Sequence, residues 1–578
     1  MLRRPFVWLP TLLLAGICSP VFAAPPKAPE PPPPTPGFGE SIEVNVVNVE
    51  VFVTDKKGNR ITGLKKDDFE IYEDRRPVKI TNFFAVEGGK TVEESPDLIA
   101  PLPAATPSAP AAAAQVAPTP VEGFEDSTPE DQRLHLVVYV DNFNIRPQNR
   151  NRVFRAIREF LTRQLRPGDR VMLVSYDRSL HVRRSFTSDP LLIASALFEL
   201  ETLNAWGGQA DNDRRDALQE IKDSADANYA VGRARQYAEA LSNDVSFSIE
   251  ALKEVVGALA GLAGRKAVLY ISDGIPMVAG EEMFHAIDQK FQQAGSSLLE
   301  ARNYDASRRF KEIVNQANTN RVTFYTLDAA GLRAPTAVSA EERDPSTSGV
   351  VDGVYFANLQ APLQMLAAET GGRAILNSND PTLQLVQVAD DFRTYYSLGY
   401  TPATSGTGRY HDITVKVKRK GLYVRHREGY RDKTAEARMS DGVRSALYFD
   451  TALNPLQVTV STDEQNRRDD GNYTVVAVVR IPIGKLVLMP EGETGRQVAR
   501  VRVFVSAMDE EGRMSDVQQL PVPIAVEAKD LPSALEKHFA YSVPVIMRPG
   551  PQKLAIGVRD ELASNGSFVL SYLTVGGR

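Results

Sequence analysis

The sequence predicts a doubly wound α/β domain that is flanked by smaller β modules. Residues Leu134 to Asn144 read LHLVVYVDNFN, and their apolar run is too short for a helix core and typical of a strand buried on both faces. After Pro147 the apolar residues recur at the three- and four-residue spacing of an amphipathic helix. Three further runs have the same character as the first strand, Arg170 to Tyr176, Lys266 to Ile271 and Arg321 to Thr326. Alternation of such strands with helices indicates βαβ units and a parallel sheet.

An aspartate follows each of the four predicted strands. These residues are Asp141, Asp177, Asp273 and Asp328. Ligands of open parallel α/β sheets bind at the carboxyl edge of the sheet, so these carboxylates are candidates for a binding site. Aspartate at a strand end also caps the following helix or shapes a turn, and that alternative stays open.

The first residues have the three parts of a secretory signal peptide. Met1 to Arg4 is basic, Phe6 to Ile17 is mostly apolar, and Val21-Phe22-Ala23 supplies the small residues of a cleavage site. We therefore predict a signal peptide over residues 1–23. Cys18 would suit a lipoprotein, but the residue before it is not the small one that a lipobox needs. Without Cys18 the mature chain has no cysteine, which excludes disulfides and thiolate chemistry from its expected functions.

The rest of the chain is predicted to contain three modules joined by linkers. Residues 24–40 form a Pro-rich linker, and residues 41–88 show the short alternating strands of a small β module. An Ala/Pro-rich linker is predicted for residues 89–130, the α/β domain for residues 131–432, and an antiparallel β-sandwich of immunoglobulin type for residues 440–578. Limited proteolysis at these boundaries is expected to release a stable fragment of about Thr128 to Tyr430.

Residues 209–264 are predicted to form a helical insertion in the α/β domain. The segment has no proline, and its apolar residues are spaced for two or three helices. A structural role and a partner-binding role both remain open for it. We interpret the arginines of the helix after Pro147 as a solvated face; they are Arg150, Arg152, Arg155, Arg158, Arg163 and Arg166.

Several of these segments together resemble a von Willebrand factor type A (VWA) domain. The resemblance lies in the strand that ends at Asp141, the segment RPGDRVMLVSYD, the pair Gly207-Gly208 and the segment RKAVLYISDG. The flanking segments IEVNVVNVEVFVTDKKGNRITGLKKDDFEIYED and YSLGYTPATSGTGRYHDITVKVKRKGLYVRHREGY resemble the secreted bacterial group called VWFA-related, of the Acidobacteria type. The resemblance covers about Ser41 to Tyr430. It implies a Rossmann-like VWA domain with a role in adhesion or protein interaction.

The resemblance also implies where a metal ion would bind. In the family's metal-ion-dependent adhesion site (MIDAS), an aspartate and two serines after the first strand, a threonine from a later loop and an aspartate after the fourth strand hold a divalent cation, usually Mg²⁺. The matching positions in this chain are Asp141, Phe143, Ile145, Gln209 and Asp273. The hydroxyl oxygens are therefore missing, although Mg²⁺ prefers near-octahedral oxygen coordination.

The sequence thus predicts a degenerate MIDAS without a tight Mg²⁺ site and no resident cofactor. The alternative is a rebuilt site in which Asp141, Asn144 and Asp273 bind Mg²⁺ weakly, partly through water. Asn142 and Asn144 could each add an amide oxygen, but they alternate with the positions that face the site in the family.

Enzyme chemistry finds little support in the sequence. The six histidines form no HExxH spacing, and neither a GxSxG elbow nor a phosphate-binding GxxxxGK[ST] loop is present. The net charge of −6 gives no support for nucleic-acid binding, and beyond the signal peptide no apolar run reaches the ~18 residues of a membrane span.

Two classes of function remain. The first is an exported, non-catalytic protein that binds a protein partner in the cell envelope or the extracellular space. The second is metal-dependent ligand binding or hydrolysis through a rebuilt site at Asp141 and Asp273. We expect the first, with a mature chain that is periplasmic or secreted and is not an enzyme, because the layout is modular and nucleophile motifs are missing.

Overall fold

The computed structural model describes residues 46–94, 133–292, 296–333, 349–404, 406–450, 453–492, 495–563 and 565–576. The predicted signal peptide, the Pro-rich linker at residues 24–40 and residues 95–130 of the Ala/Pro-rich linker lie outside these ranges. None of the described helices combines the length and the apolar content that a membrane span requires.

Short strands fill the first described range, as the alternating pattern of residues 41–88 predicts. They are β1 (Val47–Thr54), β2 (Phe69–Glu73), β3 (Arg76–Val78), β4 (Ile80–Glu87) and β5 (Lys90–Glu94). The sequence analysis assigned β5 to the linker, but it pairs with β4 in an antiparallel hairpin. Gly88 and Gly89 make that turn possible, because both adopt the positive φ that glycine tolerates without a Cβ clash.

Alternating strands and helices form the second part of the chain. They are β6 (Leu134–Asp141), α1 (Pro147–Gln164), β7 (Arg170–Tyr176), β8 (Leu180–Thr187), α2 (Pro190–Glu201), α3 (Gly207–Asp223), α4 (Ala227–Ala258), β9 (Arg265–Ser272), α5 (Glu281–Phe291), α6 (Ser296–Ala301), α7 (Ser307–Thr319), β10 (Val322–Asp328), α8 (Gly349–Glu369), β11 (Ala374–Ile375) and α9 (Thr382–Arg393).

The central sheet has the strand order β11-β10-β9-β6-β7-β8. The four strands predicted from the sequence, β6, β7, β9 and β10, are parallel, and β8 runs antiparallel at the edge. In order of appearance this is 3-2-1-4-5-6, the order of a doubly wound sheet. The strand order reverses between β6 and β9, so the topological switch point lies at the carboxyl ends of these two strands.

Helices cover both faces of the sheet, and the alternation of side chains along β6 shows how. Leu136 and Val138 belong to a core cluster with residues of α1, α2 and α9, whereas Val137 and Tyr139 belong to a cluster with residues of α4, α7 and α8. All four side chains are almost fully buried. Burying each such side chain stabilises the fold by roughly 1.5–3 kcal/mol, which explains why the strand is apolar on both faces.

Two helices, α3 and α4, occupy the predicted helical insertion. The C-terminal half of α4 packs on the sheet through Val245, Ile249 and Leu252. Its N-terminal half contributes Ala230 and Ala234 to a separate cluster with α3 and α5. About half of α4 therefore serves as an ordinary sheet-covering helix, and the other half builds a helical layer beside the switch point.

Strands from both ends of the α/β part share two further sheets. The next elements are β12 (Tyr395–Tyr400), β13 (Tyr410–Val417), β14 (Tyr423–Arg425) and β15 (Gly429–Arg431). The sheets have the orders β14-β1-β12-β4-β5 and β15-β13-β2-β3, and their buried side chains form one cluster. The predicted boundaries divide these strands between residues 41–88 and 131–432. They pair across more than 300 residues, which no local pattern reports.

The last part of the chain contains one helix that joins it to the α/β domain and two antiparallel sheets. The elements are α10 (Ala435–Phe449), β16 (Thr459–Arg467), β17 (Tyr473–Pro482), β18 (Met489–Pro490), β19 (Arg496–Asp509), β20 (Gln518–Glu527), α11 (Leu531–Ala534), β21 (His538–Met547), β22 (Gly550–Asp560) and β23 (Asn565–Val575). The sheets are β16-β17-β21 and β18-β19-β22-β23, with β20 also paired to β19, and they share one hydrophobic cluster. The immunoglobulin-type sandwich at residues 440–578 stays a prediction, and α10 extends across its predicted start.

Candidate functional site

The three predicted site residues meet at the switch point. Asp141 is the last residue of β6, and Asp273 follows β9. Asn144 joins them, because its backbone N–H and its side-chain amide donate to the two carboxylate oxygens of Asp141 at 3.0 and 2.9 Å. The backbone N–H of Asp273 donates to the carbonyl oxygen of Asn144 at 2.9 Å. The three residues predicted from the sequence therefore lie together at the carboxyl edge of the sheet, and their role as a site stays a prediction.

The carboxylate of Asp141 is enclosed by hydrogen-bond donors of the protein itself. Its side chain is buried, and besides Asn144 it accepts from the hydroxyl groups of Tyr270 and Ser272. Burial raises the pKa of Asp141, and the hydrogen bonds from Tyr270 and Asn144 oppose that rise. The oxygens that would face a metal ion in the related site are thus already bonded within the fold.

The positions of the two MIDAS serines are built into the hydrophobic packing. Ile145 is fully buried in the cluster between the sheet and α1. The Phe143 ring packs edge-on to Tyr176 with 6.3 Å between ring centroids, and the Arg178 guanidinium lies 5.0 Å from the Phe143 centroid. These side chains supply no oxygen to the site.

The residue at the threonine position, Gln209, also has no part in the site. Gln209 lies in the first turn of α3, where its backbone N–H donates to the carbonyl of Trp206, and its side chain is exposed. Among the residues that the structure describes, no three His, Cys, Asp or Glu side chains form a group that could hold a metal ion. The residues present therefore do not fit the metal site that the sequence resemblance implies.

Asn142 is held on the other side of the loop from the site. Its side-chain oxygen accepts from Arg150 at 2.6 Å, and its carbonyl accepts from the backbone N–H of Trp206 at 3.1 Å. Arg150 is 1% exposed and also donates to the carbonyl of Glu201 at 2.9 Å. The interpretation of the α1 arginines as a solvated face is therefore wrong for Arg150, which is buried because it satisfies loop oxygens at the start of the helix.

Asp273 has an environment unlike that of Asp141. One carboxylate oxygen accepts from the backbone N–H of Arg146 at 2.9 Å and from the Asn149 amide at 2.8 Å. The other oxygen is buried and has no hydrogen-bond partner among the described residues. Burial raises the pKa of Asp273 to about 6, against the effect of these two hydrogen bonds. Asp273 is thus a carboxyl group at the wall of a cavity, and burial makes it a weaker acid than an exposed aspartate.

The cavity beside Asp273 has a volume of about 650 Å³, within the range of small-molecule and side-chain pockets. Asn144, Asp273 and residues of α1, α3, α8 and the loop after β10 line it. Its wall includes five arginines: Arg146, Arg152, Arg214, Arg215 and Arg333. We refer to it as the strand-end cavity.

The arginine character of this wall was not predicted from the sequence. Of the five arginines, only Arg152 belonged to a prediction, that of a solvated helix face, whereas Arg152 donates to the carbonyl of Ala329 at 2.6 Å. The only available signal was Arg146, which directly follows the predicted ligand loop. The others come from segments that only the tertiary fold brings together.

A close backbone contact fixes the start of α3 at the cavity. Gly207 donates its N–H to the carbonyl of Ile145 at 3.1 Å, and a Cβ on Gly207 would lie 2.6 Å from the carbonyl carbon of Ile145. Only glycine permits this approach. The contact holds the first turn of α3, and with it Ala210 and Asp211, against the loop that follows β6.

Comparisons with known proteins give partial similarities. No protein-family model and no curated protein sequence matches the chain. An aerotolerance-related membrane protein from Bacteroides fragilis is 14% identical over 44% of this chain and 98% of its own, with a TM-score of 0.23. The conserved hypothetical protein BatB from Bacteroides thetaiotaomicron is 11% identical over 45% and 98%, with a TM-score of 0.21.

A third solved structure is the manganese-loaded TRAP protein of Plasmodium vivax. It is 9% identical over 52% of this chain and 94% of its own, with a TM-score of 0.21. Similarities at this level carry no argument about function. The assignment of a doubly wound fold rests on the strand order and pairing described above.

Proposed function

We propose that this chain is an exported, non-catalytic protein of the VWA type that binds a partner protein at the carboxyl edge of its central sheet without a tightly bound divalent cation. The observation that carries the proposal is the enclosure of Asp141 by Asn144, Tyr270 and Ser272. A cation there would have to displace these donors and compete with a proton whose affinity burial has raised. The doubly wound strand order and the cavity at the switch point support a ligand-binding edge.

The alternative function, hydrolysis or metal-dependent binding at Asp141, Asn144 and Asp273, needs an accessible carboxylate pair. Asp141 is 1% exposed, and its hydrogen bonds hold it inside the fold. Of the two carboxylates Asp141 and Asp273, only Asp273 borders the strand-end cavity. The geometry therefore favours binding over chemistry at this edge.

Calorimetric titration of the metal-stripped protein with Mg²⁺, Mn²⁺ and Ca²⁺ tests the metal part of the proposal. We expect no micromolar binding, and the same heats from wild type, D141N and D273N. In D273N the new amide group can take the position of the oxygen that has no partner, whereas in D141N it faces hydrogen-bond donors. Circular dichroism therefore has to show that each variant is folded before its heats are compared. Micromolar binding that disappears in both variants would overturn the proposal and establish the rebuilt site.

Photocrosslinking from the rim of the site tests where a partner binds. Trp206 is 46% exposed and donates its backbone N–H to Asn142, so a photoreactive amino acid there faces solvent beside the switch point. Tyr572, 62% exposed on β23, gives a control on a different sheet. We expect one envelope or extracellular protein to crosslink at position 206 and not at 572, equally in EDTA and in Mg²⁺. Crosslinks that require Mg²⁺, or that form only at 572, contradict the proposal.

Export is tested separately by N-terminal sequencing of the protein from the envelope and the medium. The basic, apolar and small-residue segments of residues 1–23 lead us to expect a mature chain that begins after Ala23. A full-length chain in the cytosol would contradict this part of the proposal and leave the binding part to the other two experiments.

A further inference from the structure

Most of the charged side chains on the wall of the strand-end cavity are arginines. Five arginines border it, and the only carboxylates in its described lining are Asp211 and Asp273. A guanidinium presents five N–H donors and no acceptor. The wall is therefore rich in donors, and a ligand that fills it has to supply acceptors.

Three of the five arginines are paired with carboxylates of the protein. The pairs are Arg146 with Asp211, Arg214 with Asp352 and Glu282, and Arg333 with Asp328. The acids Glu282, Asp328 and Asp352 are buried behind the wall. These ion pairs hold the three guanidinium groups in place and offset their charge.

Arg152 and Arg215 differ from the other three. Neither forms an ion pair with a carboxylate of the residues that the structure describes. Arg152 donates one N–H to the carbonyl of Ala329, and its Nε is buried without a partner. Arg215 is exposed and donates to the side-chain oxygen of Asn212 at 2.5 Å. Both retain a positive charge that a carboxylate could bind.

The rest of the wall combines amide side chains, such as Asn149 and Asn379, with an apolar and aromatic part. Leu241, Leu359, Tyr355 and Phe356 line the cavity. The Arg214 guanidinium lies 4.0 Å from the centroid of the Tyr355 ring, which keeps that ring in place. A ligand that matches both parts of the wall combines a carboxylate with a neighbouring apolar group.

We propose that the strand-end cavity is a metal-free site for an acidic peptide segment, in which Arg152 and Arg215 bind carboxylates of the segment and the aromatic wall receives an adjoining apolar side chain. Arginine suits this role because its planar fork matches a carboxylate and remains charged at all relevant pH values. The inference rests on the proposed function and deepens it, since it names the chemistry of the partner that binds this edge.

Fluorescence anisotropy in EDTA tests the inference on the full mature chain. The probe is a labelled peptide of alternating leucine and glutamate with both ends capped, and its glutamine counterpart is the reference. We expect saturable binding of the glutamate peptide, at least tenfold weaker binding of the glutamine peptide, and weaker binding at high salt. R152Q and R215Q should each weaken binding about tenfold, the effect of one charge-assisted hydrogen bond of roughly 1.4 kcal/mol or more.

R163Q is the matched control, because Arg163 lies on the same helix as Arg152 and its side chain is 71% exposed. It should leave the affinity unchanged. R215Q protects against a folding artefact, since Arg215 is exposed and its loss leaves no buried group without a partner. Equal binding of the two peptides, or full affinity in both R152Q and R215Q, would overturn the inference.

Two further outcomes separate this inference from the proposed function. If inorganic phosphate binds but the acidic peptide does not, the cavity takes a different anion and the inference fails. If no acidic peptide binds but a partner still crosslinks at position 206 in EDTA, only the inference fails. Loss of the position-206 crosslink as well would contradict the proposed function itself.

Discussion

At the scale of single residues, the strand-end site contains two aspartates whose carboxylates differ in their hydrogen-bond partners. Asp141 accepts hydrogen bonds at both oxygens, whereas one oxygen of Asp273 has no partner among the described residues. A buried acceptor without a partner is costly when it carries charge. Asp273 is therefore the residue at this edge whose ionisation state should be visible in the stability of the protein.

The first prediction concerns the pH dependence of Asp273. Its pKa rises from 3.8 to about 6 on folding, so between about pH 4 and 6 the folded state binds more protons than the unfolded state. Stability contributed by this group is consequently lost as the pH rises through that window. D273N should remove this loss. Its free energy of unfolding should exceed that of wild type by roughly 1–2 kcal/mol between pH 4.5 and 7, a figure already reduced for solvent screening.

Urea unfolding at several pH values measures this difference. D216N, at an exposed aspartate of α3, is the control and should follow wild type at every pH. The new amide of D273N shifts the stability by a constant amount, so only the slope with pH is diagnostic. Parallel curves for D273N and wild type would show that Asp273 titrates normally.

The second prediction concerns the buried carboxylate of Asp391, which is fully buried in α9. Arg425 and Arg373 bond to it at 2.7 and 3.1 Å, and Arg60 also contacts it. D391N removes the counter-charge of all three arginines and should cost about 3–5 kcal/mol of unfolding free energy. D390N, at the exposed neighbouring residue, should change it by less than about 1 kcal/mol. Urea midpoints at pH 7 compare the two, and equal midpoints would show that the arginines find other partners.

The arginines also show what a sequence cannot report about a site. Asp141, Asn144 and Asp273 were predictable because each follows an apolar strand, and the carboxyl ends of parallel strands share one edge. Arg214 and Arg333 reach the same cavity from α3 and from the loop after β10. Helical patterns indicate which face is apolar, but they do not indicate which polar side chain of the opposite face lies over a neighbouring strand end.

At the scale of elements, the parallel strands of the central sheet were predictable and its antiparallel edge strand β8 was not. The strands β6, β7, β9 and β10 are apolar along their length because both faces are covered by helices. The edge strand β8 reads LHVRRSFT and is partly exposed along its length, so it has neither a continuous apolar run nor a clear alternation. The short strand β11 has two residues, and the sequence indicates it through the glycine stop at Gly371-Gly372 that precedes a short apolar run.

Helix α10 is the element that links the α/β domain to the last two sheets, and it is the subject of the third prediction. Its Ser445 accepts from the backbone N–H of Gly261 at 2.9 Å and donates to the carbonyl of Ala258 at 2.6 Å. On its other side, a Cβ at Gly442 would lie 2.2 Å from the Phe568 ring. The helix therefore fits between its neighbours only with glycine at this position.

G442A should destabilise the protein by about 1–3 kcal/mol, because the added methyl group forces Phe568 out of its place. The control is G232A in α4, where nothing lies within 4 Å of the added Cβ. The free energy of unfolding of that variant should rise by roughly 0.5–1 kcal/mol from helix propensity alone. Thermal or urea unfolding distinguishes them, and a gain in both variants would mean that α10 does not pack as described.

At the scale of the whole molecule, two separate segments of the described chain contribute strands to the same pair of β sheets. The strand β12 pairs with β1 on one side and with β4 on the other, and β13 pairs with β2. The α/β domain is thus inserted between strands that belong together. The sequence indicated each of these strands, but pairing between strands more than 300 residues apart depends on the folded domain between them.

This interleaving changes what a cut in the chain should do. The sequence alone suggested that cleavage near residues 97–120 would release a stable fragment of about Thr128 to Tyr430. In that fragment β12 would lose both neighbours, β1 and β4, and expose two unpaired edges together with Leu398 and Tyr400, which are now fully buried. Unpaired apolar edges of this kind promote aggregation. The fragment expressed alone should therefore be insoluble.

The last prediction is that a full chain with a specific protease site inserted in residues 97–120 stays in one piece after cleavage. The N-terminal part contributes β1 to β5, whose hydrogen bonds to β12, β13 and β14 and shared hydrophobic cluster hold it to the rest. Size-exclusion chromatography of the cut protein should give a single peak with both pieces present, and urea should separate them only on unfolding. Elution of the pieces as two folded species under native conditions would contradict the observed strand pairing, because each piece would then have to satisfy its strand edges alone.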